Sequence, residues 1–273
     1  MPELPEVETV RRGLSATLSG ATIAKVTLRR KGLRAPFPER MAEILKGRKI
    51  ERIGRRAKYL LFQLSGGKVL VAHLGMTGRF MVEKKAPSDY AKHDHVIFQL
   101  VDGRVVIYND ARRFGLMTVL EKKRLATHAL FRELGVEPLS KSFTTAYLRA
   151  ALETRHAPIK TVLMDQSIVV GVGNIYASEA LFLAKIHPKR KASDVAKQAT
   201  TLILAIRKVL KLAIASGGSS LRDFVQVSGE AGYFQHRFNV YGRRGKPCFY
   251  CGIPLRSIRQ AGRSSFFCPQ CQK

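Results

Sequence analysis

The sequence predicts an α+β protein of several domains: a leading helix, an antiparallel β-sandwich or barrel, a helical region and a small metal-stapled finger. Three observations carry this. Short runs of alternating apolar character fill the stretch between residues 22 and 120. After Gly135-Val136-Glu137-Pro138 the period changes to that of helices. All four cysteines lie in the last 26 residues as two C-x2-C pairs.

The first element is a helix over Leu4–Leu18, with apolar residues at Leu4, Val7, Val10, Leu14 and Leu18. Pro5 suits its first turn, where a missing N–H costs nothing. Strands are expected at Thr22–Leu28, Lys49–Ile53, Tyr59–Leu64, Lys68–His73, Thr77–Val82, His95–Leu100, Arg104–Asn109 and Gly115–Leu120. Ser65-Gly66-Gly67 and Asp102-Gly103 read as hairpin turns. So many short strands at close spacing point to a sandwich or barrel. Helices follow at Thr144–Thr154, Pro158–Met164, Asn174–Ala184 and Ser193–Ser216, the last closed by Gly217-Gly218. Asn174 reads as the cap of its helix. Ser219–Gln235 reads as a long polar loop. The expected domains are 1–133, a linker at 134–143, 144–237 and 238–273.

Charge narrows the class of partner. The chain has 48 Lys+Arg against 20 Asp+Glu, a formal net charge of +28. Such an excess implies a polyanion, most often nucleic acid, with an anionic membrane surface or a ribosome as alternatives. From Ala231 to Lys273 there is no Asp or Glu. No apolar run approaches the roughly 18 residues that cross a bilayer, and the Pro/Glu-rich start is unlike a signal sequence.

Cys248-x2-Cys251 and Cys268-x2-Cys271 have the spacing of a structural zinc ribbon. Four thiolates close a tetrahedral site and leave no open position for catalysis. Clustered pairs of this kind point to metal in a reducing cytosol rather than to disulfides. Between the pairs a hairpin is expected, with Arg259 and Arg263 near its tip, suited to a phosphate backbone.

The N-terminus holds a second chemical signal. Removal of Met1 exposes Pro2, a secondary amine able to form an iminium with an opened sugar, with Glu3 beside it as acid or base. The plainer alternative is an amphipathic helix whose Glu residues complement its dipole. Lys58 is a phosphate contact, a catalytic acid or a solvated surface lysine. In His93-Asp94-His95 adjacent strand residues face opposite ways, so His93 is read as a polar contact and no metal pair is expected. Asp110-Ala111-Arg112-Arg113-Phe114-Gly115 joins guanidinium groups to a ring. Exposed, it is equipment for entering a duplex; otherwise it is a buried Phe with solvated arginines. Met76 is core or wedge on the same terms.

The set as a whole resembles the bacterial formamidopyrimidine-DNA glycosylase family. The resemblance rests on Met1-Pro2-Glu3-Leu4-Pro5-Glu6-Val7-Glu8-Thr9, Arg55-Arg56-Ala57-Lys58-Tyr59-Leu60, His73-Leu74-Gly75-Met76, Lys92-His93-Asp94-His95, Arg112-Arg113-Phe114-Gly115, Gly171-Val172-Gly173-Asn174-Ile175-Tyr176 and the cysteine ribbon. It runs nearly end to end. It implies an N-terminal β-sandwich, a helix–two-turn–helix domain and a zinc finger holding one structural Zn2+. It also implies a monomeric cytoplasmic repair enzyme that acts on damaged duplex DNA without a redox or nucleotide cofactor. Such an enzyme flips out 8-oxoguanine or a formamidopyrimidine, excises it, and cuts the strand by β,δ-elimination. By position, the resemblance makes Pro2 the Schiff-base nucleophile and Glu3 the proton donor. Lys58 would serve β-elimination and Arg263 δ-elimination. Met76, Arg112 and Phe114 would fill the vacated space, while His93, Arg112, Arg155, Lys160 and Asn174 would contact DNA.

Two departures stand out. Arg155 occupies a place where the family pattern has lysine, and Ala111 replaces a more usual proline, which should loosen its loop. Endonuclease VIII and a non-catalytic zinc-ribbon DNA-binding protein are the rival readings. Leu4-Pro5 and the Arg112/Phe114 pattern argue against the first. Intact Pro2, Glu3 and Lys58 argue against the second.

Overall fold

The computed structural model describes residues 1–219 and 232–273. The chain forms two compact units. The first holds Met1–Arg132 together with residues at 217–219 and 232; the second holds Glu133–Ser216 and Tyr233–Lys273.

In the first unit helix α1 (Leu4–Leu18) precedes eight strands, with a short helix α2 (Met41–Leu45) after the first of them. The strands are β1 (Ile23–Leu28), β2 (Ile50–Arg56), β3 (Tyr59–Leu64), β4 (Lys68–His73), β5 (Arg79–Glu83), β6 (Asp94–Leu100), β7 (Val105–Asn109) and β8 (Leu116–Glu121). They make two four-stranded antiparallel sheets, ordered β1-β6-β7-β5 and β2-β3-β4-β8. Two separate sheets around one core make a sandwich and not a barrel. Inward residues of one sheet (Ile23, Phe80, Phe98, Tyr108) meet those of the other (Ile53, Leu60, Phe62, Leu70), and Val7, Val10 and Leu14 of α1 join the same core. The α1 periodicity that marked the helix is therefore the stripe that packs on β2 and β3.

The expected strands all form, with ends displaced by at most a few residues. Helix α2 was not anticipated. It is five residues long and begins after Arg40 in the left-handed region, φ 55°, so periodicity had too short a window to mark it.

The second unit holds α3 (Thr145–Glu153), α4 (Ile159–Leu163), α5 (Asn174–Leu183), α6 (Ala192–Val195) and α7 (Ala199–Ala215). Thr144 caps α3 by accepting the Tyr147 N–H at 3.1 Å. The expected continuous helix over 193–216 is instead α6, a 3-10 turn at Ala196–Gln198 and α7. Helix α3 packs against both α6 and that turn. Helix α5 runs through the centre of this unit and is buried on nearly every side. Strands β9 (Arg256–Gln260) and β10 (Arg263–Phe267) form the finger hairpin, turning at Ala261-Gly262 with φ 44° and 75°. The expected loop Ser219–Gln235 lies for the most part outside the described residues. Its end is a 3-10 turn at Phe234–Arg237.

Candidate functional site

Helix α1 begins at a cluster of buried carboxylates. Glu3 is its N-cap, and the Glu3 N–H donates to Glu6 Oε2 at 2.8 Å. The other Glu6 oxygen accepts the Ser219 N–H at 2.9 Å and its hydroxyl at 3.0 Å. Gly218, at φ 79°, lies so close that a Cβ there would sit 3.2 Å from Glu6 Oε1. Residues 217–219 are thus stitched to the start of α1. Glu3 and Glu6 are both buried, and Pro2 is half-buried. With Met1 in place the Pro2 nitrogen is an amide and carries no nucleophilic pair.

Lys58 is buried, which removes the solvated-surface reading. It sits in the turn between β2 and β3, where Ala57 takes φ 52°. Arg55 braces this turn by donating to the Ala57 carbonyl at 2.8 Å and to Glu8 of α1 at 3.2 Å. Glu8 also accepts from Arg11 and Arg12. Burial pushes the Glu8 carboxyl up, but the three guanidinium groups outweigh it and hold it below its ordinary value. A charged relay therefore joins the Lys58 turn to the helix that Pro2 and Glu3 open.

Two loops of the sandwich unit interlock. His73 Nδ1 accepts the Gly75 N–H at 2.9 Å. Gly75 is left-handed at φ 62°, and a Cβ there would meet the Phe114 backbone at 2.3 Å. Burial first, then Arg34 and Lys58, lower the His73 pKa to about 4, so its ring is neutral near pH 7. The second loop hangs on Asp110, fully buried. Its carboxylate accepts from Thr77 Oγ1 at 2.5 Å and from the Gly115 N–H at 2.8 Å. Thr77 in turn accepts the Arg112 N–H at 3.1 Å. These bonds hold the loop despite Ala111. They leave Met76 and Phe114 exposed, with the Arg112 guanidinium 4.7 Å from the Phe114 ring centre. Both alternatives that buried these apolar groups are thereby removed.

His93 is half-buried. Its ring lies 6.1 Å from that of His95, His93 standing in the turn that precedes β6 and not in the strand. Alternation along a strand therefore says nothing about this pair as a metal site. What occupies His95 instead is the Asp110 carbonyl, 2.9 Å from Nε2.

In the second unit Lys160 is 2% exposed. Its ammonium donates to Asn174 Oδ1 at 2.5 Å, Ser265 Oγ at 2.7 Å and the Ser264 carbonyl at 3.0 Å. Asn174 is the first residue of α5 and not its cap, a position held by Gly173. Its amide is spent on Lys160 and on the Tyr241 hydroxyl at 3.4 Å. Arg155, Lys160 and Arg263 line one depression with Gln260 and Ser265. Arg263 is exposed beside the hairpin turn, and Arg155 is half-buried.

The four cysteines converge, all sulfurs within 4.8 Å of one another and none in a disulfide. The Cys248–Cys271 and Cys251–Cys268 separations are 4.0 and 3.5 Å. Zn–S bonds of about 2.3 Å in a tetrahedron require sulfurs about 3.8 Å apart. Burial and the neighbouring thiols push the Cys271 thiol up to about 12, so such a cluster needs a dication to ionise. The donor set fits one structural Zn2+.

Three family models cover the chain: the formamidopyrimidine-DNA glycosylase N-terminal domain over residues 1–117, its H2TH domain over 134–225, and a zinc finger found in FPG and IleRS over 245–273. The chain belongs to the formamidopyrimidine-DNA glycosylase family. It is 49% identical to the Bartonella henselae enzyme and 50% to that of Ruegeria pomeroyi, each over the whole of both chains. The MutM (Fpg) structure from Thermus thermophilus superposes with TM-score 0.88 at 41% identity, covering 99% of this chain and 98% of that one. A Lactococcus lactis Fpg complex with DNA containing N7-benzyl-Fapy-dG gives 0.91 at 34%, covering both chains fully. A further complex of that enzyme with abasic-site DNA gives 0.90 at 34%, covering 99% of each. The family is one of DNA glycosylases with abasic-site lyase activity, and this chain is a base-excision repair enzyme.

Glu6, Arg55, Asp110 and His73 appear in the sequence only inside motifs, with no supporting role assigned to them. Only Glu6 left a local signal, three positions after its N-cap. No helix among the described residues is long and apolar enough to cross a membrane.

Proposed function

We propose that this enzyme excises 8-oxoguanine and ring-opened formamidopyrimidines from duplex DNA, with Pro2 as the covalent nucleophile once Met1 is removed. The amine attacks C1′ of the damaged nucleotide, and the base departs with the C1′–N bond electrons, taking a proton delivered near Glu3. The amine loses its proton, the C1′–O4′ bond opens with O4′ taking the electron pair and a proton, and the nitrogen is left as an iminium to C1′ of the opened sugar. This acidifies the C2′ proton, whose removal expels the 3′ phosphate; a second elimination expels the 5′ phosphate. Lys58 serves the first elimination and Arg263 the second. Arg112 and Phe114, with Met76, fill the space of the flipped nucleotide. His93, Arg155, Lys160 and Asn174 contact DNA.

The observation that carries this reading is the Glu8–Arg55–Ala57 relay, which braces the Lys58 turn against the helix that Pro2 and Glu3 open. A functional division into residues 1–133, 144–237 and 238–273 accompanies it, with 134–143 linking the first two. The protein acts as a single chain in the bacterial cytoplasm, in keeping with four thiols free of disulfides.

Borohydride trapping on an 8-oxoguanine duplex tests the nucleophile. The adduct should map to Pro2, and Pro2→Gly should lose most of it. An adduct on a lysine instead refutes the assignment. For Arg263→Ala, base release should persist while doubly cleaved product falls. Normal δ-elimination by that variant on an abasic substrate reduces Arg263 to a phosphate anchor.

A further inference from the structure

We propose that the first zinc knuckle is a base-stacking platform for single-stranded nucleic acid. Phe249 and Tyr250 fill the two positions between Cys248 and Cys251, yet they are 69% and 70% exposed. Ile253, two residues beyond, is also exposed. A hairpin this small has little need of such rings on its outside, and contiguous exposed apolar groups mark interaction sites.

The rings are anchored. The Arg243 guanidinium lies 3.5 Å from the centre of the Phe249 ring. That guanidinium is itself fixed, donating to the Asn239 carbonyl and, at 2.9 Å, to the Pro247 carbonyl. Asn239 hangs on Glu179 of α5, which accepts its N–H at 2.9 Å and its side-chain amide at 3.0 Å. Tyr250 meets Phe182 of α5 edge-on at 5.4 Å. One helix therefore holds both rings, and each keeps most of its surface open.

The charge around the rings selects an anion. No acidic residue occurs between positions 231 and 273, and Arg244, Lys246 and Arg256 are exposed in the segment that carries the rings. An acidic peptide answers the charge but offers a carboxylate no reason to prefer a ring braced on a guanidinium. An unpaired base answers both, since every base has a π-face and each nucleotide carries a phosphate. The platform also stands away from the hairpin tip. Cys251 contacts Cys268 at the base of the hairpin, while Arg263 pairs with Gln260 at the other end. A five-residue strand at about 3.3 Å per residue separates base from tip by roughly 13 Å.

The test uses the full-length, zinc-loaded protein, pre-saturated with an abasic-analogue duplex so that the lesion site is filled. A 15-nucleotide oligothymidylate carrying 5-iodouracil is then titrated by fluorescence anisotropy and photo-crosslinked. The oligonucleotide should bind, and its crosslinks should map to the peptide containing Phe249 and Tyr250. The double variant Phe249→Ala/Tyr250→Ala should bind at least roughly tenfold more weakly, while Phe249→Trp retains binding. Zinc content and nicking of a damaged duplex should be unchanged in the double variant, because both side chains are exposed. Equal affinity of wild type and double variant, or loss of binding on pre-saturation, overturns the proposal. So does a double variant that loses a polyglutamate peptide but keeps the oligonucleotide, which makes the knuckle a protein-docking surface instead.

Discussion

The loop of the sandwich unit at residues 110–115 and the lysine cluster of the second unit hold their candidate DNA groups in opposite ways. In the loop the buried group is a support: Asp110 is fully buried and bonded, while Arg112 and Phe114 stand in solvent. In the cluster the candidate itself is buried, since Lys160 is 2% exposed and spent on three oxygens. A group that waits outside a braced loop is separable from stability. A group built into the packing is not, because its removal strands the acceptors around it.

Metal removal should give the largest effect and break the cluster from one side. Two of the Lys160 acceptors, Ser264 and Ser265, belong to the zinc hairpin. Structural zinc contributes roughly 10–16 kcal/mol in small zinc domains. Cys268→Ser should lose the ion by elemental analysis and lose DNA affinity with it; full binding by a verified metal-free protein contradicts this.

Lys160→Ala should come next, destabilising the second unit by about 3 kcal/mol in urea titrations, since the buried Ser265 hydroxyl and two partly buried oxygens lose a charged donor. It should also weaken DNA binding. A variant as stable as the wild type would mean that Lys160 is separable after all, and the contrast with the loop would collapse.

The sandwich unit has its own pH-sensitive support. His73 titrates at about 4 in the folded protein against 6.5 in the ordinary ring. Its contribution is thus complete above pH 6.5 and is lost as pH falls toward 4, because the unfolded chain binds the proton first. The window is worth about 3 kcal/mol. His73→Gln should flatten the acid limb of a stability–pH curve over that interval, and an unchanged limb argues that other groups set it.

The smallest effect on stability belongs to Phe114→Ala, expected within about 0.5 kcal/mol as for an exposed surface position. Excision of 8-oxoguanine should nonetheless fall sharply. A stability loss as large as that of Lys160→Ala would show that the ring is core and not wedge.

The legibility of the chain follows the range of its interactions. Strand and helix positions, the cysteine ribbon and the α1 stripe were readable because periodicity and short spacing are local properties. Pro2, Glu3 and Lys58 were readable only as motifs, since residue type says nothing about burial. Asn174 looked like a cap and is instead a partner of Lys160, fourteen residues earlier. His93 lies in the turn before β6, where strand alternation carries no information, and the carbonyl of Asp110 decides the fate of His95.

The sequence by itself determined the order of the strands and longer helices, the metal site and the sign of the partner's charge, all of which depend on composition and near neighbours. Tertiary structure alone decided which polar groups are buried and what satisfies them. Glu6 is completed by Ser219, 213 residues away, and Glu179 by residues 239–241. Such pairings leave no local trace, because a buried carboxylate needs a donor nearby in space, and the chain is free to bring that donor from anywhere along its length.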